Sequence, residues 1–122
     1  MSTDVTFATV AKLASALPGV ERSTSWGSPS LKVRGKMFAC IANHKSAEKG
    51  TLVVRMDFAQ RDALVAEEPG VFYLKDHYVG YPCVLVRLSK VTPDMLRGLL
   101  ETGHRFVTRV VQKSKGPKVQ RS

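Results

Sequence analysis

Two groups of cationic side chains are the clearest candidates for a binding site in this sequence. The first group surrounds an Arg-Gly turn, and the second recurs at every fourth residue near the C-terminus. They are Lys32, Arg34 and Lys36 in the first group, and Arg105, Arg109 and Lys113 in the second. Lys and Arg are the side chains that contact nucleic-acid phosphates. We therefore predict a phosphate-contacting surface made by a hairpin tip and a helix, although cations on an exposed hairpin also fit protection of a sheet edge against aggregation.

The net charge of +9 is concentrated at one end of the chain. Residues 1–104 carry 13 basic and 10 acidic side chains, a net +3, whereas residues 105–122 carry six basic and no acidic side chains, a net +6. Positive charge gathered in this way is typical of proteins that bind a polyanion. DNA is the partner that we predict, and a solvated basic tail is the alternative.

A loop with one histidine and two tyrosines is a second possible site. His77, Tyr78 and Tyr81 fall in a polar and aromatic segment, 75–82, which we predict to be a loop. Exposed aromatic rings among cations can stack on the bases of single-stranded nucleic acid, and the same rings can equally pack on a core. For Trp26 we favour core packing, and for Tyr78 and Tyr81 both interpretations stay open.

No pattern in the sequence indicates catalysis or a cofactor. His44, His77 and His104 have neither histidine nor cysteine at a metal-ligand spacing, and the isolated glycines form no phosphate-binding loop. Asp76 is adjacent to His77, but neighbouring residues of an extended segment point apart. We predict no catalytic residue, no metal site and no cofactor.

Two cysteines, Cys40 and Cys83, lie in apolar runs that read as strands. In a chain with no secretion signal, such a pair is more typical of buried thiols than of a disulfide. We predict that both are reduced and buried.

The elements that position these residues follow from hydrophobic periodicity and turn residues. The order is helix, four strands, helix, two strands, helix. The helices are predicted over 4–17, with Thr3 or Asp4 as N-cap, over 58–67, capped by Asp57, and from Thr92 onwards; the later strands are predicted over 51–56, 71–74 and 83–88. The run 83–88 is the most strand-prone and is predicted to be central. Gly103 interrupts the apolar face of the last helix, and we expect it to permit close approach to the sheet.

The hairpin around Arg34-Gly35 has two possible registers. A two-residue loop would set Leu31 opposite Phe38, and a three-residue loop would set Leu31 opposite Met37. Because a slip by one residue exchanges the two faces of a strand, the sequence leaves this choice open.

These elements predict an α+β protein. We expect a single compact domain over residues 1–114, with an antiparallel sheet of five to six strands packed against the N- and C-terminal helices, and a disordered basic tail over 115–122. The sequence has no secretory signal and no apolar run long enough to span a membrane. We therefore expect a cytoplasmic protein without a membrane partner, as a monomer or weak homodimer.

Five pieces of the sequence, in order, resemble the MmcQ/YjbR family of small bacterial proteins. They are Leu17-Pro18-Gly19-Val20, Trp26-Gly27-Ser28-Pro29, the hairpin from Arg34 to Ala39, the segment from Glu68 to Phe72, and the closing leucine-rich helix. His77 matches the family's loop histidine, whereas the family's Asn-Lys and His-Trp elements have no counterpart. The resemblance implies an α+β fold related to secretion chaperones, with a role in DNA binding. Our leading hypothesis is a non-enzymatic DNA-binding protein, and the alternative is a protein-interaction module.

Overall fold

In the computed structural model, which describes residues 5–25, 27–42 and 47–115, a six-stranded sheet is flanked by helices. Within these ranges the side chains of residues 25 and 110–115 are not described. The elements are α1 (Phe7–Ala14), β1 (Val20–Ser25), β2 (Ser28–Val33), β3 (Lys36–Ile41), β4 (Thr51–Arg55), α2 (Phe58–Glu67), β5 (Phe72–Tyr73), α3 (Asp76–Val79), β6 (Cys83–Arg87) and α4 (Pro93–Lys115). The strand order is β1-β2-β3-β4-β6-β5, and every neighbouring pair is antiparallel. The predicted fold class is confirmed, the element order matches the prediction except for the additional single turn α3, and β6 is an interior strand.

The strands alternate side chains between two faces, which we name the helix face and the outer face. The helix face packs against α1 and α4, whose Val10, Ala14, Leu96 and Leu100 are at most 1% exposed. Each fully buried aliphatic side chain larger than alanine contributes roughly 1.5–3 kcal/mol, so packing holds both helices in place. The outer face carries a smaller cluster, formed by Cys40, Val53, Tyr73, Cys83 and Leu85. Among the residues that the structure describes, no helix combines the length and apolar character that a membrane crossing needs.

The β2–β3 hairpin has a two-residue loop followed by a bulge. Arg34 and Gly35 have φ values of 54° and 77°, and Val33 pairs with Lys36. Positive φ at both loop positions matches the turn that suits the twist of two antiparallel strands. The register then shifts, because Lys32 pairs with Met37 but Leu31 pairs with Ala39. Neither register considered from the sequence is correct beyond the loop, since Phe38 is an extra residue.

The bulge has a packing reason. Phe38 and Ala39 are both 0% exposed and both join the core on the helix face, whereas Cys40 belongs to the cluster on the outer face. Strict alternation would send one of the first two outward. An extra residue lets consecutive side chains enter one core.

Helix α4 crosses the sheet at Gly103. A Cβ atom there would lie 3.1 Å from the carbonyl oxygen of Arg55 and 3.2 Å from that of Phe38. The predicted role of Gly103 in close helix-to-sheet approach is confirmed.

Some helix boundaries differ from the prediction. Helix α1 begins at Phe7 with Thr6 at the N-cap position, and the predicted caps Thr3 and Asp4 lie outside the described residues. The segment predicted as a loop contains the single turn α3, closed by the Tyr78 N–H on the Lys75 carbonyl at 2.7 Å. Helix α2 has the predicted bounds, and Asp57 caps it by accepting from the Gln60 N–H at 2.8 Å.

Gly98 and Gly103 form a matched pair in one helix. Gly98→Ala is expected to raise the free energy of unfolding by about 1 kcal/mol, because alanine is the better helix former and nothing lies within 4 Å of the added methyl. Gly103→Ala is expected to lower it by about 1–3 kcal/mol, since its methyl would press on two main-chain carbonyls. Urea unfolding measures both, and equal stabilisation by the two alanines would contradict the close approach.

Candidate functional site

The hairpin cations divide between the two faces of the sheet. Arg34 is exposed at the tip. Lys36 is exposed and pairs with Val33, whose side chain is in the core of the helix face, so Lys36 leaves the sheet on that side. Lys32 is half-buried and is the cross-strand neighbour of both Glu21 and Met37, which places it on the outer face. Lys32 therefore does not share the surface formed by the other two.

The helix cations lie at the same end of the sheet as the hairpin tip. Arg105 and Arg109 are exposed on the side of α4 that faces solvent. Next to Arg105, the His104 ring lies 5.7 Å from the Phe38 ring, centroid to centroid, and its Nε2 is 2.7 Å from the Pro18 carbonyl oxygen. We name Arg34, Lys36, Arg105 and Arg109 the basic end. Lys113 belongs to α4 by its backbone, but its side chain is outside the described part.

Among the described residues, the basic end differs from Arg61, Arg87 and Arg97 in having no ion pair with an acidic side chain. Arg61 pairs with Asp62 at 2.9 Å, Arg87 with Glu48 at 2.9 Å, and Arg97 with Asp94 at 3.1 Å. Within residues 5–25, 27–42 and 47–109, no ion pair within 4.0 Å involves a member of the basic end. Its positive charge is therefore available to an external anion.

A cleft of about 670 Å³ opens on the outer face. Its floor is formed by Cys40, Val53 and Cys83, and the segment with α3 forms its rim. Further lining comes from Met37, Ile41, Ala42 and Pro82. All three residues of the predicted loop site, His77, Tyr78 and Tyr81, line the cleft, and the His77 and Tyr78 rings meet edge to face at 4.9 Å between centroids. The structure thus brings the three together beside the sheet, and binding at this place stays a prediction.

Arg61 of α2 holds the rim. Its Nη1 donates to the carbonyl oxygens of Val79 at 2.8 Å and Tyr81 at 3.2 Å, and its guanidinium carbon lies 4.6 Å from the centroid of the Phe58 ring. The sequence reasoning missed this residue, although a signal existed. Arg61 stands three residues after Phe58 and four before Val65, within the apolar stripe of the helix, and it is only 7% exposed. A charge in such a stripe must find buried partners.

Arg55 is the charged residue of the cleft lining, and it was also missed. Strand alternation places it on the outer face with Val53. Its Nη1 lies 3.5 Å from the Met37 carbonyl oxygen, and its guanidinium carbon lies 5.3 Å from the centroid of the Phe106 ring. Its Nε is buried and has no hydrogen-bond acceptor in the part of the chain that the structure describes.

Both cysteines are free and buried, as predicted. Burial, with a smaller contribution from the nearby Cys83, raises the pKa of Cys40 to about 11. Burial also raises the pKa of Cys83 to about 11, against an opposing effect from Arg55 and Arg61. Both thiols are neutral at physiological pH, so the floor presents no thiolate nucleophile.

In the described ranges, no three His, Cys, Asp or Glu side chains are grouped to hold a metal. Trp26, His44 and residues 116–122, including most of the predicted tail, lie outside those ranges.

The fold and these sites define a small α+β protein with one antiparallel sheet, a basic end and an aromatic-rimmed cleft. The chain belongs to the YjbR family, whose family model matches residues 15–106. The resemblance found in the sequence is therefore confirmed.

A solved structure shares the fold, and three mycobacterial relatives share part of the sequence. The crystal structure of Deinococcus radiodurans protein DR2400, with the family-model domain DUF419, matches with a TM-score of 0.70 over 88% of this chain and 80% of that one. Identity is 18%, so this likeness concerns the fold alone. A stretch of 38 residues is 55% identical to Rv2570 of Mycobacterium tuberculosis H37Rv and to Mb2600 of Mycobacterium bovis. That stretch covers 31% of this chain and 30% of each relative, and neither name assigns an activity.

Replacement of Arg61 tests how the rim is held. Arg61→Lys keeps the charge but removes the planar fork that donates to two carbonyls and to Asp62, so the free energy of unfolding is expected to fall by about 1.5–3 kcal/mol. The matched control is Arg97→Lys, where an exposed pair is expected to change it by less than about 0.5 kcal/mol. Urea unfolding compares the two, and equal effects would show that Arg61 does not hold the rim.

The raised thiol pKa values predict a pH dependence of stability. In the unfolded chain the thiols lose their protons near the ordinary pKa of 9.0, whereas in the folded protein they keep them up to about 11. Their contribution to stability is therefore complete below pH 9 and is lost as the pH rises from about 9 to about 11. Urea unfolding across this window is expected to show a steeper fall for the parent than for the double variant Cys40→Ala/Cys83→Ala. Identical slopes would contradict the burial of these thiols.

Proposed function

We propose that this protein is a non-enzymatic, cytoplasmic DNA-binding protein that contacts phosphates through its basic end. The observation that carries the proposal is that four exposed cations at one end of the sheet have no acidic partner in the described part, whereas Arg61, Arg87 and Arg97 are paired. The net charge of +9 favours the same kind of partner. Phosphate contacts from Lys and Arg position a protein on DNA without reading its sequence.

The arrangement of the basic end favours a small, stiff interface. The tight loop presents Arg34 and Lys36 from a paired hairpin, and α4 presents Arg105 and Arg109 one turn apart on its exposed side. Lys32 is not part of this proposal, because it lies on the outer face beside Glu21. Four to five phosphate contacts correspond to a slope of log K against log salt of about −4 for duplex DNA. Binding is therefore expected to be weak at physiological salt and insensitive to base sequence.

A protein-interaction role, the alternative from the sequence, has less support. The large exposed apolar side chains of the described residues are Phe58, Val79 and Tyr81, which are 45%, 47% and 59% exposed. All three lie around Arg61, which stacks on the first and donates hydrogen bonds to the main-chain carbonyl oxygens of the other two. Among the described residues, three exposed large apolar side chains are fewer than a stable protein interface usually presents.

Removal of two helix cations tests the proposal. The double variant Arg105→Ala/Arg109→Ala is expected to lower the affinity for unrelated duplexes about equally, and to flatten the salt slope by about 2 units, because about 0.9 units are lost for each phosphate contact. Fluorescence anisotropy over a salt series, with two duplexes of unrelated sequence, measures both quantities.

The matched control removes the same charge from the other end of the sheet. Lys49 and Lys90 are exposed there, next to the hydrogen bond from the Leu88 N–H to the Gly50 carbonyl at 3.0 Å. Lys49→Ala/Lys90→Ala is expected to leave the slope unchanged. Equal flattening by both double variants would indicate a response to net charge alone, and absence of binding at low salt would reject the DNA-binding role.

A further inference from the structure

Three arginines of this protein are held in the same way. Arg55, Arg61 and Arg87 each place the guanidinium carbon over an aromatic ring, at 5.3, 4.6 and 4.3 Å from the centroids of Phe106, Phe58 and Tyr73. Each also directs Nη1 at main-chain carbonyl oxygens: that of Met37 for Arg55, those of Val79 and Tyr81 for Arg61, and those of Pro69 and Gly70 for Arg87. A ring and a carbonyl fix the plane of the guanidinium and leave its Nε side for a further acceptor.

In two of the three, a carboxylate of the protein occupies the Nε side. Arg61 Nε donates to Asp62 at 2.9 Å, and Arg87 donates through Nε and Nη2 to the two oxygens of Glu48, each at 2.9 Å. Arg55 is the exception, because its Nε is buried and no acceptor of the described residues reaches it. A buried donor without an acceptor is costly, so Arg55 Nε needs an acceptor that the described residues do not supply.

Arg55 also lines the cleft on the outer face. Among the described residues that line the cleft, it is the only one with a permanent charge, and none of them is acidic. Around it, the floor of Cys40, Val53 and Cys83 is buried and apolar, and Tyr78 and Tyr81 stand at the rim. A volume of about 670 Å³ lies within the range of small-molecule sites, which pair an apolar lining with few polar groups.

We propose that this cleft binds a small-molecule carboxylate with an aromatic or branched apolar body, and that the Arg55 side chain turns its buried Nε towards the cleft to receive the carboxylate. The geometry is the one that Arg87 adopts with Glu48, because the side of a guanidinium matches the two oxygens of a carboxylate. The body of the ligand lies on the apolar floor against the aromatic rim, which Arg61 holds through the carbonyls of Val79 and Tyr81.

Burial raises the pKa of Cys83, and the positive charges of Arg55 and Arg61 both act to lower it. The floor therefore lies within the field of two guanidinium groups. A field of this sign favours an anion over a neutral ligand of the same shape. The site is distinct from the basic end, whose four members do not line the cleft. The proposal of a carboxylate site can therefore be tested independently of DNA binding.

The test compares an acid with its neutral isostere on the full-length protein. Phenylacetate and phenylacetamide share the same ring, and only the first offers two anionic oxygens. NMR titration of isotope-labelled protein is expected to show phenylacetate shifting amide signals of β3, β4, β6 and α3, with an affinity at least about tenfold above that of phenylacetamide. Equal affinities, or no shifts in the cleft with either phenylacetate or benzoate, would overturn the proposal.

Variants then locate the anion site. Arg55→Gln is expected to weaken phenylacetate about tenfold to a hundredfold and to leave phenylacetamide unchanged, since only the charge-assisted pair is removed. Arg97→Gln removes an equal charge from the exposed side of α4 and is expected to change neither affinity. If Arg55→Gln binds phenylacetate as the parent does, Arg55 is not the anion site.

A rim variant covers the case in which Arg55→Gln does not fold. Tyr81 is 59% exposed, so Tyr81→Ala is expected to fold normally and to weaken acid and amide by the same severalfold factor. No change in either affinity would place the ligand outside the cleft.

A peptide titration distinguishes a small-molecule carboxylate from the C-terminal carboxylate of a peptide. A tripeptide that ends in phenylalanine is titrated with a free C-terminus and as its C-terminal amide. Weaker binding of the free peptide than of phenylacetate supports a small-molecule ligand, because the cleft then has no place for a preceding chain. Tighter binding would replace that ligand with a peptide terminus and overturn the small-molecule assignment.

Discussion

The crossing of α4 over the sheet at Gly103 is the constraint on which both candidate sites depend. The helix backbone approaches the carbonyls of Phe38 and Arg55, which belong to neighbouring strands, at a distance that leaves little room even for a methyl group. This contact fixes where the rest of α4 emerges. Phe106, one turn further, then meets the Arg55 guanidinium, and Arg105 and Arg109 face solvent beside the hairpin. One close approach therefore positions the cations of one site and the arginine of the other.

The bulge at Phe38 makes that crossing compatible with a two-sided sheet. Because Phe38 and Ala39 both enter the core beneath α4, the alternation restarts one residue later and Cys40 faces outward. Met37 lies before the bulge and lines the cleft together with Cys40. Without the extra residue, the strand could not fill the core under the helix and also supply the cleft with both of these side chains.

Local sequence signals predicted the elements well, and non-local contacts account for what they did not predict. Helix α2 and the loop at Arg34-Gly35 follow from caps and turn residues that act within a few positions. The bulge depends on how α4 packs, and the sequence near Phe38 carries no sign of it. Arg61 finds its carbonyl partners 18 and 20 residues away. The site prediction was limited in the same way, since strand register alone placed Lys32 apart from the other hairpin cations.

The two candidate sites differ in how much of the chain must be folded to form them. Strands β1 to β4 pair in sequence, so the hairpin and its tip depend on neighbours that are close along the chain. The cleft floor also needs Cys83 from β6, which reaches β4 only after α2, β5 and α3 have intervened. Closing that longer segment is a less local event than forming the hairpin. A change that detaches β6 would therefore abolish the cleft while leaving the pairing of β2 with β3 at the hairpin tip intact.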